Sequence, residues 1–148
     1  MIIHSKGILN NRVAAVILLH QDGAALMQLR DEKRGLRNAG MWVPPGGHAE
    51  PNEDIKICAR REFLEETDYD CPNLKYLTEF VDHVEGWPAY VLTFFWAYYD
   101  GIQQLKCLEG QDLKFINYYN AGSYNIPEYL LEVWEMALKL SKEEGVKE

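Results

Sequence analysis

A chain of 148 residues, 47% hydrophobic and 26% charged, is long enough for one soluble domain with its own core, spanning residues 1–148. Its formal charge of −8 argues against a nonspecific nucleic-acid or anionic-membrane binder, which would present a basic surface. An anionic phosphate ligand would therefore need metal ions to offset the protein's own carboxylates.

In chain order, Val13 to His20 reads as a buried strand, apolar almost throughout and rich in β-branched residues. Gln21-Asp22-Gly23 signals a turn, and Ala24 to Arg30 returns as a second strand. Asp31 to Gly40 is a charged loop, either a solvated connection or one from which Lys33, Arg34 or Arg37 reaches a substrate phosphate. Trp42-Val43-Pro44-Pro45-Gly46-Gly47 is a tight turn whose glycines let the backbone approach a ligand. Pro51 to Asp54 opens a helix, with Asn52 as the N-cap and acids in the first turn. Ile55, Ala59 and Phe63 form an apolar row that docks this helix on the sheet, and Asp68 to Pro72 ends it.

Leu74 to Val84 and Tyr90 to Tyr99 read as two longer strands joined as a hairpin around Glu85-Gly86-Trp87-Pro88. Leu113 to Tyr118 is a further short strand. From Pro127 to Lys142 the row Leu130, Trp134, Ala137 and Leu138 marks an amphipathic helix, with Asn125 upstream as a cap. This order predicts an α/β/α sandwich around a central mixed β-sheet.

The three cysteines, Cys58, Cys71 and Cys107, show no Cys-x-x-Cys spacing, so reduced thiols of a cytoplasmic protein are expected. His4, His20, His48 and His83 form no metal-spaced pair. The first residues lack the apolar core of a signal peptide, and the run from Val13 to Leu19 is too short to cross a membrane.

The chemistry concentrates in one segment. Glu62, Glu65 and Glu66 stand at i, i+3 and i+4, which on a helix places three carboxylates on one face. Alone, such a pattern is most often a solvated face. Directly after a Pro-Gly turn it reads as a diphosphate–metal site, because hard cations such as Mg²⁺ take carboxylate and phosphate oxygens. Glu62 and Glu66 lie within about a quarter turn of the apolar row, at the sheltered edge of the buried face.

The spacing Gly47-x5-Glu53-x7-Arg61-Glu62-Phe63-x-Glu65-Glu66-x-Asp68-Tyr69 resembles the Nudix box of the Nudix hydrolase family. Asp68 replaces the second glycine, and Phe63 and Tyr69 are aromatic where an aliphatic is usual. Weaker likeness extends through Gln28-Leu29-Arg30, Trp42 to Gly47, and Glu109-Gly110-Gln111-Asp112. The resemblance implies the Nudix fold, in which dimers are common, and hydrolysis of a diphosphate linkage in a nucleoside diphosphate derivative. A nucleotide sugar, ADP-ribose or an oxidised nucleoside triphosphate would be the substrate. It implies that Glu62, Glu65 and Glu66 bind Mg²⁺ or Mn²⁺, with the Gly46 carbonyl as a further ligand. It implies that Arg61 pairs with Glu53 and orients the carboxylates, and that Gly47 supports the site. Glu109 is the candidate for a further catalytic acid from outside the box, with Glu79, Glu85 and Asp112 as rivals. Arg30, Arg34 and Arg37 are the candidate substrate-binding residues, and Trp87, Tyr90, Trp96, Tyr98 and Tyr124 candidate base-stacking residues. The alternatives are a non-catalytic nucleotide sensor of the same fold, or an isoprenoid-diphosphate isomerase using a cysteine such as Cys58.

Overall fold

Strand β1, Arg12–Leu19, organises the sheet. Its run of Val, Ile and Leu is buried on both faces, as a central strand requires. Ala15, Ile17 and Leu19 point into one core, and Ala14, Val16 and Leu18 into another. The period-2 alternation of a strand thus builds both layers from a single segment. This computed structural model describes residues 11–147 except Val84 and Trp87, and the side chains of residues 11–145. His4, the first ten residues and the expectations resting on Val84 and Trp87 lie outside it.

Along one edge, β1 pairs in parallel with β6, Tyr90–Tyr98, from Arg12↔Val91 to Leu19↔Tyr98. Antiparallel β5, Lys75–Asp82, closes that side. The other edge of β1 is shared. Val13 to Ala15 pair with β4, Gly46–His48, whereas Leu19 pairs with Ala25 at the start of β2, Ala25–Leu29. β2 in turn carries β3, Trp42–Val43, and β7, Asp112–Ile116. A crevice therefore opens where β4 and β2 part.

Helix α1, Ile55–Thr67, covers one face through Cys58, Ala59 and Phe63, and Phe63 meets Tyr69 edge to face. Helix α2, Glu128–Lys147, covers the other through Leu130, Val133, Trp134 and Ala137. The buried Trp134 indole donates to the Gly23 carbonyl at 3.1 Å. The result is the expected α/β/α sandwich around a mixed sheet. Among the described residues, no helix is long and apolar enough to cross a membrane.

Three local expectations are corrected. The N-cap of α1 is Asp54, whose carboxylate accepts from the N–H groups of Lys56 (2.9 Å) and Ile57 (3.2 Å). Asn52 instead occupies a left-handed turn at φ 64°, and the first helical turn holds no acid. The Trp42–Gly47 segment is more than a turn, because its ends pair as β3 and β4 around the two prolines. The last strand stops at Ile116, since Asn117 caps a 3-10 helix, Tyr118–Ser123, by accepting from the Tyr119 N–H at 2.9 Å.

Candidate active site

Arg61 is the hub of the α1 face. Its Nε and Nη2 bind the two Glu53 oxygens at 2.7 and 2.8 Å, a bidentate pair. Nη1 reaches Glu62 at 3.0 Å and Glu65 at 3.2 Å, and Nη2 also donates to the His48 carbonyl at 3.2 Å. The guanidinium holds Glu53 far below the usual carboxylate range, at about 2, and Arg61 itself is pushed upward by the same bonds. One cation thus ties the loop before α1, the end of β4 and two box glutamates together.

Gly46 and Gly47 let the carboxylates through the crevice. A Cβ on Gly46 would fall 2.1 Å from the Ala14 carbonyl oxygen, and one on Gly47 2.3 Å from Glu62 Oε2. Glu62 thereby sits against bare backbone, and burial raises its pKa despite the opposing Arg61. Glu66 goes deeper and is only 5% exposed. Burial pushes its carboxyl up to about 10, helped by contact with the Glu109 carboxyl and the charge of Glu62, while the Gly46 N–H opposes the shift.

Glu109 comes from the segment before β7, outside the helix. Its rivals stand elsewhere: Glu79 on β5 accepts from the Tyr76 hydroxyl at 3.0 Å, Glu85 is exposed in a turn, and Asp112 caps its own strand at the Leu113 N–H. Glu62, Glu66 and Glu109 therefore converge, as the spacing of the first two suggested.

This donor set fits a hard divalent cation. Glu66 Oε2 is buried and, among the described residues, meets no hydrogen-bond donor. Two touching carboxylates need a proton or a cation between them, and all the side-chain donors here are oxygens. Among the described residues, no three Asp, Glu, His or Cys side chains stand close enough together to hold a metal ion as they are. Glu65 is exposed and turned to Arg61.

The three acids line a cavity of about 720 Å³ on the α2 side of the sheet. Arg30 lines it too, and its buried Nε meets no acceptor among the described residues. Arg37 lies on the wall but is bonded to Asp82 at 2.6 Å and stacked 4.6 Å over the Tyr90 ring. Arg34 is exposed and outside the wall. Of the stacking candidates among the described residues only Tyr90 lines the cavity; Trp96 is core, Tyr98 lies at its strand end against α2, and Tyr124 packs on Trp42. Tyr129 and Asp82 were not singled out in the sequence, where Gln28 stood only within the flanking likeness. Tyr129 sits on the apolar side of α2's own pattern, and nothing in the local sequence links Asp82 to a loop 45 residues away.

Cys58 is fully buried with its thiol pushed up to about 12 by burial, so it stays undissociated.

A family model for the NUDIX domain matches residues 9–128. The chain belongs to the Nudix domain family. Its box segment is the α1 face just described. Bovine (Bos taurus) m7GpppN-mRNA hydrolase NUDT17 is 38% identical over 58 residues, covering 39% of this chain and 19% of that protein. The chain spans less than a quarter of the length of the curated relatives it matches. Among solved structures, the MutT protein of Methanosarcina mazei superposes with a TM-score of 0.74 at 21% identity, covering 89% of this chain and 95% of that one. The Nudix domain of Shewanella oneidensis NrtR, complexed with ADP-ribose, gives 0.72 at 17% identity, covering 86% of each. At these identities the likeness is one of fold, and it places this sheet among Nudix sheets.

Proposed function

We propose that this Nudix protein is a metal-dependent hydrolase that cleaves a diphosphate linkage in a small nucleoside diphosphate derivative by attack of water at phosphorus. The observation carrying this reading is the buried Glu66 oxygen, which meets no donor among the described residues, on the wall of a ligand-sized cavity that Glu62 and Glu109 also line. Glu62, Glu66 and the Gly46 carbonyl would hold Mg²⁺ or Mn²⁺, and Glu65 would join on leaving Arg61. When bound, the metal would screen the diphosphate charge and acidify attached water. Glu109, the acid outside the helix, takes the proton of the attacking water. Arg61, anchored by Glu53, keeps the box carboxylates on one face. Arg30 supplies positive charge to the phosphates from the cavity wall.

Tyr90, Phe94 and Tyr129 line the same cavity, and Arg37 on its wall is paired with Asp82. A flat heterocycle suits these aromatic side chains. The names of the relatives agree with a nucleotide carrying phosphoanhydride bonds, one acting on an mRNA cap and one binding ADP-ribose. The buried Cys58 lends no support to isomerase chemistry.

The test is product analysis on nucleoside diphosphate derivatives and nucleoside triphosphates, with Mg²⁺, Mn²⁺ or chelator, for wild type and Glu66→Gln. Metal-dependent cleavage that Glu66→Gln loses is expected. Tight nucleotide binding without cleavage would overturn hydrolysis in favour of a sensor.

A further inference from the structure

Strand β2 reads Ala-Leu-Met-Gln-Leu, and Gln28 is its one polar side chain. It is 3% exposed. A buried amide destabilises a core unless its hydrogen bonds are made. Gln28 Nε2 donates to the main-chain carbonyl of Glu109 at 3.1 Å, across 81 positions of sequence. The two flanking likenesses, Gln28-Leu29-Arg30 and Glu109-Gly110-Gln111, are therefore two sides of one contact. The Gln111 N–H donates to the Leu29 carbonyl and its side-chain amide to the Arg30 carbonyl, both at 2.8 Å.

The same segment is anchored to α1 on its other side. The Lys106 N–H donates to the Thr67 carbonyl at 2.8 Å, and the Leu108 N–H to the Glu66 carbonyl at 3.0 Å. Residues 106–111 thus form a strap from the end of α1 to the end of β2. Gly110 permits the close seating: it has φ 83°, and a Cβ there would fall 2.6 Å from the Leu29 carbonyl oxygen. Glu109 is the strap residue between the two sets of anchors. Its carbonyl is held by Gln28 while its carboxyl meets Glu66.

We propose that Gln28 is a positioning residue for hydrolysis, its amide fixing the main chain of Glu109 so that the Glu109 carboxylate faces Glu66 and the attacking water. This rests on the function proposed above. Fixing the carbonyl fixes the direction of the side chain leaving the adjacent Cα. A carboxylate displaced by about 1 Å loses its proton-transfer geometry, and such misplacements are kinetically large. Gln28 does this without touching the reacting atoms.

The experiment is a kinetic cycle of Gln28→Met and Glu109→Gln, with hydrogen exchange on residues 106–111. Met keeps the length and burial of Gln without the donor. Gln28→Met is expected to lower kcat about tenfold with KM nearly unchanged, and to speed exchange in the strap but not in α1. In the Glu109→Gln background the same substitution should cost nothing further, because the carboxylate it serves is gone. Should Gln28→Met fail to fold, Gln28→Asn, which keeps a donor on a shorter stem, carries the cycle with a smaller loss. Equal losses in both backgrounds, or unchanged kcat and strap exchange, would overturn the positioning role alone. A wild type that binds nucleotides but cleaves none would overturn the hydrolase reading, and the positioning role with it.

Discussion

Gly47 lies directly under the Glu62 carboxylate, so close that a methyl group there would stand 2.3 Å from Oε2 and 2.4 Å from Cδ. Its backbone conformation does not itself demand glycine; the carboxylate does. Gly47→Ala should therefore fold, with an unfolding temperature within a few degrees of wild type, while Glu62 swings away. A misplaced ligand of this kind is expected to lower kcat about 10²-fold. Circular dichroism and steady-state kinetics in Mn²⁺ check it together. Full activity in Gly47→Ala would mean that Glu62 has no required position.

Glu53 stabilises the fold only while it is ionised. Its pKa is held at about 2, chiefly by Arg61, against 4.5 for an ordinary glutamate. A group depressed in the folded state contributes in full above the unfolded value of 4.5, and that contribution disappears as pH falls towards 2. Glu53→Gln should accordingly lower the unfolding temperature clearly at pH 7 and progressively less below pH about 4.5. Thermal melts of both proteins across this range measure the difference. A gap independent of pH would show that the Arg61 pair is not its source.

What the sequence made legible follows the range of the interactions. The box glutamates, the Arg61–Glu53 pair and the Ile55-Ala59-Phe63 row are spaced by single helical turns or by one short loop, so their register could be read locally. The two strand faces of β1 follow from alternation alone. The N-cap was misplaced because Asn52, Glu53 and Asp54 all suit a helix start. The choice of Asp54 depends on a turn closed by the Glu53 N–H on the Glu50 carbonyl. β3 and β4 are two and three residues long and exist through their pairing with β2 and β1, which no local pattern contains. The Arg37–Asp82 and Gln28–Glu109 contacts join positions 45 and 81 apart, visible only once the sheet is built.

Asp68 is a tolerated substitute for glycine. It closes α1 at φ 61° and ψ 21°, its N–H donating to the Leu64 carbonyl at 2.9 Å, and its carboxylate pairs with Lys106 at 3.3 Å in solvent. Left-handed geometry disfavours a Cβ by about 1–2 kcal/mol, less for Asp, and an exposed pair returns about 0–1 kcal/mol. Asp68→Ala should lose about 1 kcal/mol, because it keeps the Cβ and drops the pair. Asp68→Gly should stay within about 0.5 kcal/mol of wild type. Neither should alter kcat, since Asp68 is not on the cavity wall. Denaturant melts decide the order of the three; Ala as stable as Gly would contradict the strain argument.

Glu66 should set stability against activity. In the metal-free protein its carboxyl sits at about 10, raised first by burial and then by Glu109. Below the unfolded value of 4.5 both states are protonated, and the group is neutral in its effect. As pH rises from there towards 10, the unfolded chain releases the proton and the folded one retains it, so folded stability falls. Gln has the same shape and no proton to lose. In chelator, Glu66→Gln should therefore match wild type in stability at pH 4.5 and exceed it at pH 7, by on the order of 3 kcal/mol. Mn²⁺ should raise the melting temperature of wild type and leave that of Glu66→Gln nearly unchanged, because ligand linkage requires the carboxylate. If chelated wild type is the more stable protein at pH 7, the buried carboxyl is stabilised by contacts other than those around it here, and its part in holding a cation falls with it.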